Sequence, residues 1–145
     1  MISVKDAIAS GAWYHCQSDR GFDDVSFRIG ILSFEKQQLS EKELNHYFDG
    51  GGSLWLMNIQ VVSLNKTKAL ETGDISYFLY LQDQDGFQFK YLEYPGDKIC
   101  LDERWEKRLN RFDCSGSNFQ PKTKAVGNIA FFLPDDDDPE YYIGI

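Results

Sequence analysis

From residue 54 to residue 94 the chain alternates apolar and polar side chains in a pattern that predicts strands. Trp55, Met57, Ile59 and Val61 recur at every second position, with Asn58 and Gln60 between them. A period of two places one set of side chains on a buried face and the other on a wet one. Phe87, Phe89 and Tyr91 alternate with Gln88 and Lys90 in the same way. Tyr77-Phe78-Leu79-Tyr80-Leu81 is apolar throughout, as a strand covered on both faces would be. Between these last two runs lies Asp83-Gln84-Asp85-Gly86. Asp-Gly is a hairpin signal, because glycine accepts positive φ and aspartate bonds its own turn backbone. Three strands are expected here, the last two joined by a tight turn.

The flanking segments follow the same logic. Residues 1–11 read as a lead-in, and Ala12-Trp13-Tyr14-His15-Cys16 as a first strand. Val25, Phe27, Ile29 and Ile31 alternate with Ser26, Arg28, Gly30 and Leu32, which predicts a second strand over 25–34. Residues 39–50 carry a helix signature. Ser40 is a natural N-cap, Glu43 completes a capping box and Leu39 can staple onto Leu44. Leu44, Tyr47 and Phe48 share one face, and Gly50 suits a left-handed C-cap. The glycine run that follows is not a phosphate loop, since no Gly-Lys-Ser/Thr accompanies it. Residues 65–74 read as a polar loop. A second short helix is expected over 102–112, with Trp105, Leu109 and Phe112 on one side. A late strand over 125–133 stops at Pro134, and Tyr141-Tyr142-Ile143 forms the last. The expectation is one mostly β domain over 1–145: an antiparallel β-sandwich with one or two short helices.

Composition narrows the function. The 145 residues carry a formal net charge of −8. A general nucleic-acid binder or a protein of anionic membranes needs a basic surface, so partners with basic surfaces fit better. No apolar run reaches the roughly 18 residues of a membrane span. No signal peptide is visible after Met1, which leaves a cytoplasmic chain or a secreted one whose leader has been removed. Cys16, Cys100 and Cys114 form no Cys-x-x-Cys pair. They read as reduced thiols acting as small apolar residues, with a Cys100–Cys114 bridge as the alternative.

The order of these pieces resembles a bacterial domain family of unknown function, an immunoglobulin-like β-sandwich found in small lipoproteins and secreted proteins. That family has carried a misleading telomeric-repeat-binding label and is similar in fold to the mycobacterial immunoprotective antigen. The resemblance lies in a strand ending at Asn65, the Asp83-Gln84-Asp85-Gly86 turn before an aromatic strand, Val126-Gly127-Asn128-Ile129-Ala130-Phe131-Phe132-Leu133-Pro134, and the closing Tyr141-Tyr142. It implies an immunoglobulin-like sandwich and a non-catalytic domain.

Candidate chemistry is sparse. His15 and His46 lack neighbouring cysteine or histidine at zinc-ligand spacing. Ser115-Gly116-Ser117 lacks the nucleophile-elbow pattern. No catalytic residue and no cofactor is therefore assigned. Asp83 and Asp85, together with the run Asp135 to Asp138, are weak calcium candidates, with a plain hairpin turn and a solvated acidic loop as the competing reading. Asp135, Asp136, Asp137 and Asp138 form an acidic run that is either a solvated turn or a contact for a basic partner. Arg104, Lys107, Arg108 and Arg111 fall at helical spacing, as a solvated helix face or as a contact for an acidic partner or a neighbouring copy. The expected function is non-catalytic protein binding, in its sharpest form an inhibitor or immunity-type protein acting through an acidic surface. An extracytoplasmic accessory domain that binds a ligand or an envelope component is the first alternative, and an enzyme is the remoter one.

Overall fold

The computed structural model describes residues 1–18, 25–38, 52–90, 118–135 and 139–145. The helices expected over 39–50 and 102–112 lie outside these residues, as do Tyr91, Cys100 and Cys114.

The longest ladder runs through β4 (Ser53–Ser63), which pairs antiparallel with β3 (Ser26–Lys36) on one side and β9 (Lys124–Leu133) on the other. Adding β2 (Trp13–Gln17) beside β3 completes a four-stranded sheet of order β2-β3-β4-β9. A second antiparallel sheet has order β1-β10-β6-β7, from β1 (Ile2–Ser3), β6 (Tyr80–Asp83), β7 (Gln88–Phe89) and β10 (Tyr141–Gly144). A short pair joins β5 (Leu70–Glu71) to β8 (Asn118–Phe119). The fold is thus mostly β among the described residues.

Both large sheets contribute to one core. Phe27, Ile29 and Ile31 of β3, Met57, Ile59 and Val61 of β4, and Ile129 and Phe131 of β9 meet Leu81 of β6 and Ile143 of β10. Each such side chain, fully buried, stabilises by roughly 1.5–3 kcal/mol relative to exposure. Asn65, 2 % exposed, ends the β4 segment by accepting the Ser26 N–H at 2.8 Å, which ties the strand exit to the start of β3.

A bulge keeps β3 facing inward. Ile31 pairs with Ile59 and Ser33 with Asn58, so Leu32 has no partner across the ladder. Leu32 is 42 % exposed. One extra residue reverses the side-chain alternation, and Phe34 therefore returns to the inner face opposite Met57. There it stacks on Trp55 at 4.8 Å between ring centroids and meets Phe131 and Tyr141 edge-on.

Four expectations need correction. Residues 65–74 are not loop throughout: β5 takes Leu70–Glu71 and a helix begins at Thr72. Residues 1–11 are no mere lead-in: α1 (Val4–Ser10) is capped by Ser3 Oγ, which accepts the Asp6 N–H at 3.1 Å. It ends at Gly11 with φ 63° and buries Val4 and Ala7. The apolar run 77–81 is split. Its first part belongs to α2 (Thr72–Phe78), and the strand begins at Tyr80. Asp74 Oδ2 accepts the Glu71 N–H at 2.9 Å, and Ile75 and Leu79, one turn apart, are buried. Capping plus an i, i+4 apolar pair outweighs the aromatic strand preference of Tyr77 and Phe78. Lastly, Phe87 does not enter the buried alternation, being 67 % exposed, and Phe89 is only half-buried.

The bulge gives a direct test by chemical denaturation. Ile59→Ala should cost about 2–5 kcal/mol through loss of contact and a residual cavity. Leu32→Ala should cost under about 1 kcal/mol, as at other exposed positions. Equal costs would contradict the assignment of Leu32 to the outer side.

Candidate functional site

The outer face of the β2-β3-β4-β9 sheet follows from its register. Trp13, Gly30, Gln60 and Val126 form one row across the four strands, and His15, Arg28, Val62 and Lys124 form the next. Neither row contains a carboxylate. Trp13, Val126 and the bulged Leu32 are 39 %, 50 % and 42 % exposed. Arg28, Lys124 and His15 are exposed as well.

Local contacts hold these groups in place. Gly30 leaves room for the Gln60 side chain, whose Nε2 would lie 2.8 Å from any Cβ added there. Lys124 Nζ reaches to 5.7 Å from the centre of the Trp13 ring, a cation–π contact that orients both. His15 Nε2 is 2.9 Å from Ser26 Oγ. Further along, Asn58 Nδ2 donates to Asn128 Oδ1 at 2.8 Å. These two rows are partly aromatic and cationic, on a chain whose formal net charge is −8.

A second feature is a cavity of about 140 Å³ beside α1. Val4, Ile8, Phe34, Trp55 and Tyr141 supply apolar walls, and Lys5 and Glu140 are its charged residues. A cavity on the order of 150 Å³ admits a benzene-sized ring.

Of the residues singled out from sequence, His15, Asp83, Asp85 and Asp135 lie among the described residues. Asp135 accepts a short hydrogen bond from the Ser53 hydroxyl and lies 3.6 Å from Lys36 Nζ. It ties the segment after β9 back to β3 and β4. Asp136, Asp137 and Asp138 lie outside the described residues, as do Arg104, Lys107, Arg108, Arg111 and His46. Asp83 Oδ1 accepts the N–H groups of Asp85 and Phe87, both at 2.9 Å, and Gly86 takes φ 93°. That carboxylate organises the three-residue hairpin loop. No cluster of three or more metal-ligating side chains occurs among the described residues.

Trp13, Arg28 and Lys124 carry a local signal that the sequence reading passed over. Each occupies the polar phase of an alternating strand, where Trp13 is the exception in type. Their proximity follows only from strand pairing. No protein-family model, no curated protein and no solved structure matches the chain.

Cys16 is the one cysteine within the described residues. It is buried and free, and burial pushes its thiol from 9.0 up to about 11. Native protein keeps this proton where the unfolded chain loses it. The stabilisation is therefore complete below pH 9 and falls as pH rises from 9 to about 11, by on the order of 1–3 kcal/mol. Denaturation at pH 8 and pH 10.5 should show a larger loss for wild type than for Cys16→Ala. Equal losses would mean that the thiol is wetter than its position in the core implies.

Proposed function

We propose that this chain is a non-catalytic protein-binding domain whose contact surface is the outer face of the β2-β3-β4-β9 sheet. The observation that carries this reading is the exposed Trp13 set among Arg28, His15 and Lys124, with no carboxylate in either row. Tryptophan and arginine are the side chains that most often dominate binding energy at interfaces. A cationic face on an acidic chain favours a partner that presents acidic groups there. The net charge of −8 supports an inhibitor- or immunity-type role, in which the acidic remainder of the surface meets a basic region of the same partner. Asp135 adds little to that contact, since Lys36 and Ser53 already engage it.

Kinship with the immunoglobulin-like family is the finer proposal for the fold. It is supported by the order of β4, the Asp83 turn, β9 and β10 along the chain, and by the single core shared between two antiparallel sheets. Binding of a small ligand is the second reading, favoured by the aromatic-walled cavity at Phe34, Trp55 and Tyr141.

A tagged pull-down from source lysate at low and moderate salt tests the main reading. Trp13→Ala and Arg28→Glu should each weaken retention of a stoichiometric partner by about 2 kcal/mol, roughly thirtyfold. Asp135→Asn should leave it intact, and melting temperatures should confirm that each variant is folded. Retention unchanged in both Trp13→Ala and Arg28→Glu would overturn the assignment of this face.

A further inference from the structure

Among the described residues, β2 forms one edge of the β2-β3-β4-β9 sheet. β2 is paired with β3 and has no strand on its other side among the described residues. The Ser18 N–H donates to Val25 O at 2.9 Å, in register with the pairs of β2 and β3. Backbone bonding alternates along an antiparallel strand. Tyr14 and Cys16 therefore direct their N–H and C=O groups to β3, and Trp13, His15 and Gln17 direct theirs outward. The Leu64 N–H, donated to Ser26 O at 2.9 Å, fixes the complementary phase on β3. None of the outward backbone groups meets a hydrogen-bond partner among the described residues.

Among the described residues, the edge also lacks the usual guards. Trp13-Tyr14-His15-Cys16-Gln17 contains no lysine or proline, and its pairing with β3 has no bulge. Native sheets commonly use those devices to stop another chain from pairing. The residues with free backbone groups are the ones whose side chains lie on the cationic face. His15 sits directly beside Arg28 in the register, and neither Arg28 nor Lys124 forms an ion pair with a described residue.

We propose that β2 takes up an extended segment of a partner protein as a fifth strand, with a carboxylate facing His15 and Arg28. This rests on the reading of the same sheet as the contact surface and adds how the partner is held. Main-chain hydrogen bonds supply affinity, and alternate side chains supply selectivity. Charge decides the occupant. A second copy of β2 laid antiparallel about His15 would place Trp13, His15 and Gln17 on this face and bring no carboxylate to it. An acidic strand places its carboxylates on one face at every second residue, where Arg28 has no ion-pair partner among the described residues.

The full chain, isotopically labelled, is titrated by NMR with a blocked peptide of about seven alternating valines and glutamates. Comparison peptides replace glutamate by lysine, or carry N-methyl groups on alternate amides. The amide signals of Trp13, His15 and Gln17 should shift and exchange more slowly with the glutamate peptide. Both comparison peptides should bind about tenfold more weakly or worse, as should the Arg28→Glu variant. Gln17→Pro removes one outward N–H without touching the β3 ladder, and it should abolish the added protection. Absence of any shift at these three amides with the glutamate peptide overturns the proposal. So does unchanged binding of both the N-methylated peptide and Gln17→Pro, even where Arg28→Glu weakens it; that result keeps the face as a contact surface and removes strand addition. A dimer in sedimentation that Gln17→Pro dissociates would assign the edge to a second copy and overturn the acidic occupant.

Discussion

Hydrogen bonding along both edges of β4 is the constraint on which the rest of the structure depends. β3 pairs with it over Trp55–Ser63 and β9 over Ser53–Val62, so its residues cannot shift without breaking two ladders at once. A slip by one residue would turn Met57, Ile59 and Val61 out to water. The inward row of β4 thus selects the register of both neighbours, and the bulge at Leu32 lets β3 satisfy it beyond Ile31. Phe34 then reaches Trp55, and that stacked pair builds a wall of the cavity beside α1.

The same register composes the outer face. Leu54 and Leu56 are buried at one end of β4's outer side, and Asn58, Gln60 and Val62 are half-buried toward the other. Around this second end gather Trp13, Arg28, Val126 and Lys124. An apolar interior and a cationic exterior are therefore two consequences of one alternation. Among the described residues β2 pairs with β3 alone, which puts it at one edge of this sheet. There Trp13, His15 and Gln17 carry both the outward backbone groups and the outer-face side chains.

Much of the sheet was legible in the sequence because period two is a local signal. β4, β9, β10 and the Asp83 turn lie close to where alternation and turn chemistry put them. α1 was legible in its caps, Ser3 and Gly11, yet its short apolar stretch offered little periodicity. α2 competed with an apolar aromatic run, and the cap at Asp74 with the Ile75–Leu79 pair decided it. The bulge left a trace as a change of phase between Ile31 and Phe34. The cationic face was not legible. Its members come from β2, β3, β4 and β9, separated along the chain and joined only by pairing. Asp135 belonged to a conspicuous acidic run, but its contacts with Ser53 and Lys36 depend on the fold.

Native-state amide hydrogen exchange, resolved by residue, tests the central claim most directly. Exchange protection tracks how much structure must open to free each N–H. With β4 bonded on both edges and β2 bonded on one, Met57, Ile59 and Val61 should exchange only through the largest opening. Tyr14 and Cys16 should be protected, while Trp13, His15 and Gln17 between them exchange freely. Uniform protection along β2, or β4 amides that exchange as fast as those outward groups, would contradict this account.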